Sequence, residues 1–154
     1  MTNRERFLRT LNFQPADRLP VLEWATWWDL TVERWKGEGL GEIPEIEGLN
    51  ADEALRMHLE LDLLMQEWIP LLSPETPKPA SHGAPIVRCL EDYERILPTL
   101  YPKDQPDPKR MRDMAQRSAS GEAVTWLTLD GFFWAPRTLL GIEAHLFAFY
   151  DKPK

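Results

Sequence analysis

The sequence has a single cysteine, Cys89, among its 154 residues, so no disulfide can form within it. A reducing compartment, the cytoplasm, is the expected location. It has no apolar run near the roughly 18–20 residues that a membrane span needs, so no membrane is expected among its partners. The opening MTNRERFLRT carries a charge every few residues and lacks the apolar stretch of a leader peptide. Basic residues are in deficit: 18 Lys and Arg face 25 Asp and Glu, a net charge of −7. That balance excludes nucleic acid as an expected partner, because such binding draws on cations that neutralise phosphates. Histidine is scarce at three, and no His or Cys pair has ligand spacing, so no metal site is expected. The glycine-bearing GEGLGEIPEIEG lacks the lysine and the strand–loop–helix setting of a phosphate loop. No Ser/His/Asp signature and no internal repeat is found.

What the chain does have is proline, 14 in all, and tryptophan, seven. The prolines punctuate a succession of short elements. Thr2 and Glu5 stand at capping-box spacing ahead of a helix that ends at Gln14-Pro15. Leu19–Trp24 reads as a first strand, and Asp29–Lys36 as a helix. Residues 37–48 read as loop. Asn50 and Glu53 repeat the capping spacing before a helix with an apolar face. Residues 61–69 read as a second strand, ending at Pro70. Five prolines then mark a long loop over 70–85, with a short strand at Ile86–Leu90 and a helix from Glu91 to Leu97. Asp107-Pro108 is an N-cap followed by proline at the first helical position, and Gly121 ends that helix. AVTWLTLD, at 123–130, is the clearest strand. A loop over 131–136 and one final helix over 138–150 complete the series. The alternation of strand and helix predicts an α/β fold with a parallel sheet and crossover helices. Three strands and an almost wholly apolar last helix leave much to cover, so the chain is expected to be part of a larger fold.

In parallel α/β folds chemistry gathers at the C-terminal ends of the strands. The first such end supplies Glu23, Trp24 and Trp28, the second Glu67 and Trp68, and the third Asp130, Trp134 and Arg137. Together they predict an aromatic-walled pocket with a few polar groups. Glu67 is the candidate acid or base, near the end of an apolar strand where desolvation tunes a carboxylate for proton transfer. Arg137 is placed to fork onto a substrate carboxylate or to pair internally with Asp130 or Glu143. Each tryptophan has the alternative role of ordinary burial.

Two stretches carry a family resemblance. RERFLRTLNFQPADRLPV resembles the start of the uroporphyrinogen decarboxylase superfamily, where a helix and a Pro-Asp-Arg-like turn lead into strand one. DGFFWAPRTLLGIEAHLFAFYDKP resembles that family's Gly-Phe-x-Gly-Ala-Pro-x-Thr-Leu motif and the helix after it. With the element order, the likeness spans nearly the whole chain. It implies a (β/α)8 barrel of about twice this length, with this chain as the N-terminal portion.

The family's decarboxylases carry an Arg-Gln-Ala-Gly-Arg motif after strand one. Here EWATWWDLTVERW is aromatic and acidic, a poor receptacle for a tetrapyrrole with many carboxylates. The other large branch resembles corrinoid-dependent methyltransferases, which bind zinc through a His-x-Cys and a later Cys in their C-terminal portion. The resemblance therefore implies small-molecule, corrinoid-linked methyl transfer for a full-length parent. Zinc and a corrinoid would belong to that parent, with no cofactor held by this chain alone. The expected partners are a small-molecule substrate, a corrinoid protein or a barrel-completing chain. Decarboxylation in porphyrin biosynthesis and a non-catalytic module that completes a barrel are the two alternatives.

Overall fold

The computed structural model describes residues 1–151. Seven α-helices and two strands are assigned among them: α1 (Asn3–Leu11), α2 (Asp29–Trp35), α3 (Ala51–His58), β1 (Leu64–Ile69), α4 (Leu90–Ile96), α5 (Pro108–Ala119), β2 (Val124–Leu129), α6 (Trp134–Leu140) and α7 (Ile142–Asp151). β1 and β2 pair side by side as a two-stranded parallel sheet. The chain is α/β, and it forms two compact units. One comprises Met1–Glu67 and Asp107–Leu127, the other Trp68–Pro106 and the residues from Thr128 onward.

In the first unit, helix starts follow the capping chemistry of the sequence. The Thr2 hydroxyl accepts from the Glu5 N–H, and Asn50 with Glu53 closes a full capping box on α3. Asp107 accepts from the amides of Lys109 and Arg110 at the start of α5. Caps of this kind are worth about 1 kcal/mol each. The core joins Leu63 and Met65 around β1 to Met114 of α5 and Ala123, with Leu49 and Met111 packed against them.

Two ion networks lie under this core. Asp62 accepts from both ends of the Arg18 guanidinium, at 2.7 and 2.5 Å, from Arg6 at 3.4 Å, and from the Val21 N–H at 2.9 Å. Arg6 also forks onto Asp17 at 2.7 and 3.0 Å. The Pro-Ala-Asp-Arg turn is therefore pinned to the residue that leads into β1. Arg6 holds the Asp17 carboxyl well below the usual carboxylate range, and the bond from Arg18 lowers Asp62 likewise. In the second network, Arg110 of α5 pairs with the fully buried Glu53 of α3, and with Glu67 of β1 at 3.3 Å.

The second unit is built around the proline-rich loop. Val87, Ile96 and Leu100 form its buried cluster, backed by Leu72, Ile86, Leu139 and Leu140. The amides of Ile86 and Val87 both donate to the Leu139 carbonyl, at 2.9 and 2.8 Å. Gly141, at φ +80°, stands where a Cβ would meet the backbone of Gly83 and Pro85 at 2.8 Å. α7 buries His145 and leaves Leu146, Phe147, Phe149 and Tyr150 exposed.

Four expectations are corrected. Leu19–Trp24 forms no strand. Pro20 has no N–H to give a ladder, and the Val21 N–H is taken by the Asp62 side chain, leaving one backbone bond from the Asp62 N–H to the Val21 carbonyl at 2.9 Å. Residues 86–90 form no strand either, since two consecutive amides there converge on one carbonyl of α6. The sheet of the described residues thus has two strands where three were expected. The loop expected at 131–136 is helical from Trp134, with Pro136 tolerated in the first turn. Finally, the single helix expected at 138–150 is split by Gly141 into α6 and α7.

Candidate functional site

At the C-terminal end of β2 the chain turns through Asp130, Gly131 and Phe132 into α6. This turn rims a cavity of about 580 Å³ within the second unit, a size suited to a small ligand. Its floor is apolar: Leu71, Val87 and Leu100 are buried, and Leu139 and Leu140 close the α6 side. The floor is held by the bond from the Tyr101 N–H to the Leu71 carbonyl, at 2.8 Å, and by the Leu72–Leu100 bridge. Aromatic rings stand around the rim: Tyr93 from α4, Tyr101 after the following turn, and Phe132 from the β2–α6 turn.

Asp130 is the only charged residue in this lining. Its carboxylate is solvent-exposed, and among the described residues no hydrogen bond or ion pair engages it. A larger hollow of about 760 Å³ in the same unit lies between residues 81–85 and α7, away from any strand end.

The expected site residues are distributed as follows. In the first unit, Glu23 accepts from the Ala25 N–H at 3.0 Å, in a local turn. Trp28 caps the start of α2 and is 79% exposed. Trp24 is exposed as well. Glu67 is held by Arg110, which it shares with Glu53. In the second unit, Trp68 is exposed on β1. Trp134 and Arg137 are brought together, with the guanidinium 4.4 Å from the ring centroid, a cation–π contact. Neither the Arg137–Asp130 nor the Arg137–Glu143 ion pair is formed. Of the four expected residues in this unit, Asp130 alone lines the cavity, and its walls are tyrosine and phenylalanine rather than tryptophan.

Sequence reasoning missed Tyr93 and Tyr101, because they reach the cavity from a helix and a loop remote from β2 in the chain. It missed Arg110 as well, although a cation on the inner turn of a helix among apolar residues signals a buried acid.

For metal chemistry, no group of three or more His, Cys, Asp or Glu is placed to hold an ion among the described residues. His58 hydrogen-bonds the Leu40 carbonyl at 2.7 Å. His145 lies between Phe133 and Phe149, with centroids at 4.9 and 5.1 Å, and its buried Nε2 has no hydrogen-bond partner among the described residues. Among them, no helix is long and apolar enough to cross a membrane. Compared with protein-family models, curated proteins and solved structures, the chain matches none.

Proposed function

We propose that this chain is the N-terminal portion of a (β/α)8 barrel enzyme of the uroporphyrinogen decarboxylase kind, whose complete form carries out corrinoid-linked methyl transfer on a small molecule. One observation carries the reading: the cavity at the end of β2, where an apolar and aromatic lining holds a single charged group, the Asp130 carboxylate. Such a lining orients a small, largely apolar substrate. The same lining speaks against the decarboxylase alternative. It contains no arginine or lysine, and a polycarboxylate facing an acid would be repelled. Zinc and corrinoid chemistry is assigned to polypeptide or partners beyond these residues.

The test is direct. The purified chain, mixed with small methylated compounds, shifts the amide resonances of Gly131, Ala135 and Leu139 and shows no turnover by itself. Uroporphyrinogen binding to those residues, or catalytic activity in the isolated chain, overturns the reading.

A further inference from the structure

We infer that Arg56 of α3 anchors a second binding site, which takes a small monocarboxylate on one edge of its guanidinium. The site lies in the first unit and does not depend on the cavity at the end of β2, which belongs to the other.

Four arginine, aspartate or glutamate residues are buried among the described residues: Arg6, Glu53, Arg56 and Asp62. Three of them meet opposite charge. Arg6 pairs with Asp17 and Asp62, Asp62 also with Arg18, and Glu53 with Arg110. Arg56, 2% exposed, is the exception, for no acid of the described residues forms an ion pair with it. Its Nη2 donates to the Ala25 carbonyl at 3.3 Å, a long bond to a neutral group. Its buried Nε has no hydrogen-bond partner among the described residues. A guanidinium cannot shed its proton to relieve this, and a buried charge without a counter-charge is costly. Water can satisfy an N–H, but it brings no charge.

Geometry narrows the class of anion. Nε and Nη2 form one edge of the guanidinium, and by that same edge Arg6 holds both oxygens of Asp17, at 2.7 and 3.0 Å. A carboxylate offers two coplanar oxygens to such an edge. Its single charge also matches that of Arg56, whereas a phosphate dianion would leave one charge unmet. The way in is short. Ala25 is exposed, and residues 19–28 belong to no helix or strand, so the backbone over the guanidinium can yield without breaking an element.

The test titrates the full 154-residue chain with sodium acetate against sodium chloride at equal ionic strength, which holds screening constant. Acetate at ten times its dissociation constant should raise Tm by about 3–5 °C over chloride, because it binds the folded state. In NMR spectra the Nε–H signal of Arg56 should move downfield and saturate as a single site, since that proton gains a charged acceptor. Arg56→Met removes the unmet charge while keeping an apolar chain in its place. In chloride it should melt at or above the parent's Tm, and its response to acetate should vanish. Arg56→Lys keeps the charge without the fork and should lose the preference for acetate over chloride.

Equal responses to acetate and chloride in the parent, or an acetate response that survives in Arg56→Met, overturn the assignment. So does an Nε–H signal that ignores acetate in a protein whose Arg56→Met variant melts below the parent, because the guanidinium then serves only to hold the Ala25 backbone. An Nε–H signal that moves with protein concentration instead of acetate overturns it in favour of a carboxylate from a second copy.

Discussion

Replacing Asp62 with asparagine probes the tie between the segment around Arg18 and Val21 and the residue that leads into β1. The carboxylate accepts four hydrogen bonds, two from Arg18, one from Arg6 and one from the Val21 amide. An amide keeps one acceptor oxygen and turns an NH2 toward donors on the other side. It thereby loses at least one charge-assisted bond, worth about 1.5–3 kcal/mol, whichever side the NH2 takes. Against this, Arg18 is half exposed and regains water, and Arg6 keeps Asp17. The net cost is about 2–3 kcal/mol. For a chain of this size that lowers Tm by about 5–10 °C, readable by circular dichroism.

The pH dependence gives a second check. Asp62 and Asp17 have carboxyls lowered in the folded state, by Arg18 and Arg6 respectively. Their contribution is therefore complete above the unfolded value, about 3.9, and is lost as pH falls from there toward the folded values. The asparagine variant has nothing to protonate at position 62, so its deficit at pH 7 should shrink on approaching pH 3. A variant within 1 °C of the parent at pH 7, or a deficit that stays constant down to pH 3, refutes the reasoning.

Arg110→Ala should destabilise the fold by about 3–5 kcal/mol in urea titrations, because it strands the fully buried Glu53. Arg110→Lys should recover part of this through charge without the fork. Gly141→Ala should cost about 2–4 kcal/mol, since φ is +80° and the added Cβ would press on the Gly83 carbonyl and the Pro85 nitrogen. Hydrogen exchange should show the loss first in α6 and α7.

Much of the local structure was legible in the sequence because its signals are local. The caps at Thr2, Asn50 and Asp107 lie within three residues of the amides they serve, and all three are used. The strands over 64–69 and 124–129 are short apolar runs bounded by turn residues, and they stand where the pattern put them. Segment 19–24 has the same apolar look, but whether it becomes a strand depends on the distant Asp62, which claims its amide. Segment 86–90 likewise answers to Leu139. Gly141 is an ordinary helix interruption in sequence, and only the close approach of Gly83 makes the break obligatory. For the site, Asp130 was legible from its place after a strand. Tyr93 and Tyr101 were not, because rings in a helix and a loop carry no periodic sign of the cavity they border.

The fastening of α1 has a consequence for biosynthesis. The helix caps itself with Thr2, and Arg6 finds Asp17 within the first twenty residues. Its remaining ties are to Asp62 and to the Gly121–Glu122 turn, where the Arg4 amide and the Asn3 side chain dock. At translation speeds of about 5–20 residues per second, these last partners follow on the order of ten seconds later. A helix made well before its distant partners is thus among the last elements to be locked down. Throughout that interval it is held only by contacts within this short stretch, among them its own cap, the Glu5–Arg9 pair and the Arg6–Asp17 pair.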